Sequence, residues 1–462
     1  MTARPQVMVA GLFAGMLAAT GVAASNGVAP LLAPDSGGAA TASGDAREVL
    51  AEYLAGLSEA QYRTARRGEA FFNTSFVPSP SRAQVRDGLG PLFNSGACRS
   101  CHNSLGRGSP PTDPGQQPVA LVLQLSTRSA DGSWGMDPIY GANFNPFAVE
   151  GFEPEGRVVI ERTPLRGRYA DGTEWVVDQP AYRLEDLRYG ALHPATAISP
   201  RLAQPIIGMG LLQAVPEETI LALADPDDRD GDGISGRANW LHGKDGEKRL
   251  GRFGWKSNQP DILAQTVAAL SQEQGITSSH DPAGNCTAAQ RDCRAAPIGA
   301  ELEIEDADVD ALVLFQRVLA VPPRRNLDRP AVARGAALFR QADCAACHVP
   351  TLETAAVADL PALSEQRIHA YTDLLLHDMG PGLADGRPDH QATGSEWRTP
   401  PLWGLGRTPD IARGEFYLHD GRARTLEEAV LWHGGEAAAA RARFIALPPA
   451  DRAALIAFLR SL

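Results

Sequence analysis

Apolar residues recur at helical spacing in two distant stretches, Ala311-Leu-Val-Leu-Phe-Gln-Arg-Val-Leu319 and Ala454-Leu-Ile-Ala-Phe-Leu-Arg-Ser-Leu462. Each follows an acidic start, Asp306 to Asp310 in one case and Asp451 in the other, which favours a helix N-terminus. A second echo lies upstream of them, Arg67-Gly-Glu-Ala-Phe-Phe72 and Arg334-Gly-Ala-Ala-Leu-Phe339. Such repetition predicts one plan written twice: a leading helix, a variable middle and a closing helix. The copies meet at Val321-Pro-Pro-Arg-Arg-Asn-Leu-Asp-Arg-Pro330, a linker by composition. Within the first copy the pattern changes. Val119 to Ser126 reads as a strand, and Arg157 to Arg162 and Glu174 to Val177 read as strands around a turn at Asp171-Gly172. Pro216 to Ala224 reads as a helix, with proline at its start and Glu217 and Glu218 in its first turn.

Composition narrows the class. The chain has 462 residues and an apolar fraction of 44%, enough for a sizeable core and two or three domains. A formal charge of −12 argues against nucleic acid and anionic membrane surfaces as partners; it suits a small basic redox protein, or serves solubility alone. Arg4, the apolar run Met8 to Ala24 and the small residues Val22-Ala23-Ala24 predict a signal peptide over 1–24, with a membrane anchor as the other reading. A Ser/Gly/Ala/Pro tract, 25–45, follows as a flexible linker. The mature chain is expected to be periplasmic, with no transmembrane segment. Cys286 and Cys293 stand in a loop-like stretch and, in an oxidising compartment, most simply form a local disulfide; two free thiols are the alternative.

The other four cysteines carry the chemistry. They form two Cys-x-x-Cys-His motifs, Cys98–Cys101–His102 and Cys344–Cys347–His348. Two thiols at this spacing can make thioethers to the vinyl groups of a haem, and the next residue sets an imidazole against the iron. A zinc knuckle or a thioredoxin-like pair is the competing reading of Cys-x-x-Cys; the histidine, the export signal and the repeat favour haem. The expectation is therefore a mainly α chain of two cytochrome c-like domains, 46–322 and 331–462. The first would carry a large mixed α/β, loop-rich insertion at about 110–300. The sixth position on each iron decides between electron carriage and reaction with a small oxidant. A helix through Glu427 to Trp432, ending at Gly434-Gly435, would present His433 to the second iron; His369, His377, His390 and His419 compete. No histidine occurs between His102 and His193, so the first iron is expected to be open.

Within the insertion, Asp228, Asp230 and Asp232, followed by Gly233, have the spacing of a calcium loop. Asn239 falls where such a loop places its last ligand.

With these motifs read, the chain resembles the bacterial di-haem oxidoreductase family sometimes labelled "thiol oxidoreductase", a relative of di-haem cytochrome c peroxidases and of the enzyme that matures methylamine dehydrogenase. The likeness rests on the stretches Gly90 to His102, Asp227 to Gly236, Arg252 to Lys256, Tyr371 to Gly382, Trp397 to Gly404 and Leu418 to Arg422, and on the segment around His433. It implies His433 as sixth ligand of the second haem and calcium near the haem interface. It also implies a catalytic acid and a glutamine over the substrate, for which Glu217 and Gln213 are the candidates, and an inter-haem tryptophan, for which Trp255 is the candidate. The implied activity is peroxidase-like: electrons from a soluble donor such as a small cytochrome or cupredoxin pass from the second haem to the first, which reduces peroxide or another small oxidant. A non-enzymatic electron-transfer protein and a di-haem oxygenase of an organic substrate are the rivals. A thiol-oxidoreductase activity rests on the family label alone.

Overall fold

The leading and closing helices predicted twice do pair twice, and they do so through the same contacts. The structure, a computed structural model, describes residues 29–44, 47–82, 86–113, 115–243, 246–297, 301–411 and 414–462; the expected export segment, 1–24, lies outside the described residues. The helices that shape the site are α1 (Glu59–Asn73), α2 (Ile262–Gln274), α3 (Asp306–Arg317), α4 (Pro330–Gln341), α5 (Leu426–Leu431), α6 (Ala438–Ala446) and α7 (Pro449–Leu459). α1 packs on α3, and α4 packs on α7. A Cβ on Gly68 would lie 1.9 Å from the Ala311 carbonyl oxygen, and one on Gly335 would lie 2.0 Å from that of Ala454. Only glycine lets the two backbones approach so closely. The arginine before each glycine pairs with an aspartate in the first turn of the facing helix, Arg67 with Asp308 (2.5 Å) and Arg334 with Asp451 (2.7 Å). The closing Phe of each leading helix meets a Phe of its partner, Phe72 with Phe315 (5.3 Å) and Phe339 with Phe458 (5.1 Å). Each then faces the histidine of its motif, His102 (6.1 Å) or His348 (6.4 Å).

The expectation of a mainly α chain built of two cytochrome c-like domains is corrected. Helix accounts for 30% of the chain and strand for 19%, spread over many small sheets, so the fold is mixed. The strands that matter here are β1 (Leu121–Arg128), β2 (Arg157–Arg168), β3 (Glu174–Glu185), β4 (Thr196–Leu202), β5 (Leu376–Asp378) and β6 (Glu396–Arg398). β1 and β4 pair antiparallel, from Leu121 opposite Leu202 to Thr127 opposite Thr196. β2 and β3 form a long hairpin from Arg157–Glu185 to Arg168–Glu174, two to three times the strand length the apolar pattern predicts. Its turn is the expected one: Gly172 takes a positive φ, and the Thr173 N–H donates to the Asp171 carboxylate (2.8 Å). β5 and β6 pair inside the second copy, where no strand is expected.

Three apolar clusters result. One surrounds the α1–α3 pair and the first motif, one the α4–α7 pair with Trp255, Trp397 and Trp432, and one lies under β1 and β4. The tract expected to be a flexible linker is packed from residue 29 onward. Leu31 is buried, and its carbonyl accepts from Arg324 and from the Tyr371 hydroxyl. The Ala42 N–H donates to the Val321 carbonyl (2.8 Å). Pro34, Ala40 and Ala42 meet the Val321 and Arg324 backbone, through small residues that composition reads as flexibility. Among the described residues, no helix is long and apolar enough to cross a membrane.

Candidate functional site

The first motif forms a single helical turn, Cys98–Cys101, directly after the loop that receives the end of α2. His102 is anchored by its Nδ1, 2.6 Å from the Gln204 carbonyl oxygen, which fixes the ring and leaves Nε2 free. Burial lowers its pKa and favours the neutral imidazole that a metal needs. The ring borders a cavity of about 370 Å³, enclosed by the α2 face, the end of β4 and the 387–390 loop. This is the size of a small-molecule or cofactor pocket, ~300–1,000 Å³.

One wall of this cavity is cationic. Arg201, Arg387 and Arg398 line it. Arg398 spends its bonds on neutral oxygens, those of Gly254, Thr399 and Gln204. The Nη2 of Arg201 and the Nε of Arg387 are buried without a hydrogen-bond partner. Behind the wall, Lys256 is fully buried and donates to Asp385 (2.8 Å) and to the carbonyls of Arg387 (2.7 Å) and Thr393 (2.8 Å); burial pushes it down to about 8. Glu273 of α2 also lines the cavity; among the described residues none donates to its carboxyl, and burial pushes it up to about 7. None of these groups was singled out in the sequence, because they come from four distant segments and share no local pattern.

Three expected residues stand elsewhere. Glu217 is exposed, in the one-turn helix Glu217–Leu221. The Gln213 side chain accepts from the Ile262 N–H (3.0 Å) and so finishes the N-terminus of α2 instead of reaching the cavity. The cavity is lined at this point by Leu212, one residue earlier. Asn239 is also corrected. It is buried, donates to the carbonyls of Lys256 and Asp389, accepts from the Gln391 N–H, and is not part of the acidic cluster. Asp228, Asp230 and Asp232 do come together, with carboxylate oxygens within 4.8 Å of one another. Trp255 lines the cavity, its indole N–H bonded to the Leu202 carbonyl (2.7 Å).

The second motif has a different neighbourhood. His348 Nδ1 lies 3.0 Å from the Tyr371 carbonyl oxygen, the same anchoring as at His102. His433 stands just past α5, its Nδ1 2.8 Å from the Ala429 carbonyl oxygen of that helix. Both rings are anchored at Nδ1 and half-buried; desolvation first, and the charge of His433 among the further causes, holds His348 down at about 4. The competitors are engaged or distant. His377 sits between Asp373 (2.8 Å) and Glu436 (2.7 Å) and is 3.6 Å from the Cys347 sulfur. His369 bonds Thr351 (3.1 Å), and His390 is exposed at the wall of the first cavity. His193 is an exposed loop histidine that accepts from the Ala195 N–H. His419 is stacked flat on Trp397 (3.8 Å, 12°) and edge-on to Trp255 (6.5 Å), so three rings run from the first cavity into the second core.

The four motif cysteines are not disulfide-bonded, whereas Cys286 and Cys293 are. Burial raises Cys98 to about 11 and Cys344 to about 12, which keeps them as thiols and argues against thiolate chemistry of their own.

A search of curated proteins finds no match to this chain. A family model described as "Di-haem oxidoreductase, putative peroxidase" matches residues 32–125 and 185–462, which include both motifs, every cavity residue named above and His433. By that match the chain belongs to the di-haem oxidoreductase family, which implies two haems.

Proposed function

We propose that the chain is an exported enzyme that reduces peroxide or another small oxidant at the first motif with electrons that enter at the second. The observation that carries this reading is the asymmetry of the two histidines: His102 borders a cavity, whereas His348 shares its surroundings with His433. The residues present fit two haems. Cys98 and Cys101, and Cys344 and Cys347, would hold them by thioethers, with His102 and His348 as iron ligands and His433 as the second ligand at the second site. Arg201 and Arg387 both face Asp389 (3.6 and 2.7 Å), but the Arg201 Nη2 and Arg387 Nε make no hydrogen bond and, with Arg398, suit the carboxylates that a haem carries. When bound, haem supplies the redox chemistry, and the protein sets ligands, access and charge.

The chain's own residues then have defined tasks. Glu273 holds a proton inside the cavity and is better placed than Glu217 to assist proton transfer. Trp255, His419 and Trp397 supply a stacked aromatic route between the two sites. The acidic surface suits a small basic electron donor. One observation favours a second reading, a non-enzymatic carrier: Met209 and His390 line the first cavity and are the side chains that would close the first iron.

The deciding experiment is electron paramagnetic resonance of the ferric protein matured with both haems, with and without one equivalent of hydrogen peroxide, repeated on the half-reduced form. A high-spin signal that vanishes with peroxide in either form is the expected result. Two low-spin signals indifferent to peroxide in both forms would favour the carrier.

A further inference from the structure

The β2–β3 hairpin is an arm, and it falls largely in the stretch that the family model does not match, 126–184. A lone two-stranded hairpin is at best marginally stable in water, so its order must come from what it touches. At its base Val158, Ile160, Tyr182 and Leu184 pack into the cluster under β1 and β4; at its tip it touches the second site. At its tip the Tyr169 hydroxyl donates to Glu427 of α5 (2.8 Å), the Ala170 N–H donates to the Ile445 carbonyl of α6 (3.1 Å), and Asp171 accepts from Arg452 of α7 (2.8 Å). Arg452 also lies over the Tyr169 ring at 3.8 Å. Near the base, the Tyr182 hydroxyl donates to Asp420 (3.0 Å). Asp420 in turn holds Arg422, whose guanidinium covers Trp432, the neighbour of His433.

We propose that this arm is a positioning device for His433, with Tyr169 and Asp171 as its positioning residues. The argument starts from the weakness of α5. It has six residues, too few to hold itself as a helix. Yet its Ala429 carbonyl sets the His433 ring, so any shift of α5 moves that ring. One of the tip contacts, Tyr169 to Glu427, holds α5 itself, and the other two, to Ile445 and Arg452, tie the same tip to α6 and α7. The other side of the arm faces solvent, with Leu165 and Val176 exposed and Glu161 paired to Arg183 on the surface. The arm therefore acts inward, on the ligand helix. The proposal rests on the reading of His433 as a haem ligand.

The test uses the full chain matured with both haems. The variant Y169F/D171N removes both side-chain links and keeps the turn, since asparagine still accepts from the Thr173 N–H. In this variant cyanide is expected to displace His433 about tenfold more readily, the factor that ~1.4 kcal/mol represents, read as replacement of the second haem's two-histidine low-spin signal by the distinct low-spin signal of its cyanide adduct. Hydrogen exchange over 426–431 should rise in parallel. E161Q, which breaks only the outward ion pair, should change neither. A folded Y169F/D171N protein with wild-type cyanide affinity and exchange would overturn the proposal. If the double variant loses haem, Y169F alone is read in the same way. H433G separates the two layers: an unchanged second-haem spectrum there removes the ligand reading itself, whereas a changed spectrum with an inert arm variant removes only the arm.

Discussion

The two motif regions share helices, glycines, ion pairs and ring contacts, and differ in what lies across from the motif histidine. At His102 the chain leaves a cavity walled by arginines and one unpartnered carboxyl. At His348 it brings up a second anchored histidine. The acids follow the same division. In the first region burial pushes Glu273 up to about 7 and Glu155 up to about 8, because only neutral donors or none face them. In the second region burial would raise Glu436 as well, but bonds from His377, Ser235 and the Asp378 N–H overcome it and hold the carboxyl at about 2. The acids that face no cation thus keep a proton, and the one bonded to His377 keeps its charge. The lesson is that the repeat sets where each Cys-x-x-Cys-His motif stands, and the non-repeated segments decide what surrounds it.

The largest effect should come from deleting the feature that makes the second region distinct. H433G is expected to abolish the low-spin signal of the second haem, to leave the high-spin signal of the first unchanged, and to be rescued by added imidazole. A spectrum that keeps both signals would erase the contrast between the two regions.

The wall between the regions gives the next effect. Lys256 is sealed between Asp385 and the Trp397 ring, 4.5 Å from its centroid. K256M preserves length but leaves the Asp385 charge buried with less compensation. Breaking a buried pair from one side typically costs ~3–5 kcal/mol. Thermal unfolding of the variant should report a loss of that order, and a change under ~1 kcal/mol would mean the wall tolerates the uncompensated charge.

How much of this was legible in the sequence depends on the distance over which each feature is encoded. The paired helices were legible because Gly68 and Gly335, and Ala311 and Ala454, repeat the same contact in the same local words. The end of α5 just before His433 was legible because a glycine pair follows at Gly434-Gly435. The small sheets were not, since strands of two or three residues such as β5 and β6 carry no alternation to read. Gln213 and Glu217 misled for a local reason: they follow Leu212, which does line the cavity, but the chain turns them away from it. Arg201, Glu273, Arg387 and Arg398 had no signal at all, because topology alone brings them to one cavity.

The smallest effect tests the acid contrast by pH. Glu155 is fully buried and accepts from the Asn145 N–H and from the Gln290 side chain, with no cation beside it. Its pKa of about 8 in the folded chain stands well above the value of ~4.3 for a free glutamate. Between those two values the folded state keeps a proton that the unfolded state releases. Stability from this group is therefore full below the unfolded value and falls as pH rises toward 8. E155Q replaces the neutral acid with a neutral amide and removes that slope. The variant is expected to be more stable than the wild type by on the order of 1–3 kcal/mol at pH 8, and to lose the advantage near pH 5. Urea unfolding at the two pH values checks it. Equal differences at both would mean that Glu155 is ionised in the fold, and the proton-keeping character assigned to the first region would then rest on Glu273 alone.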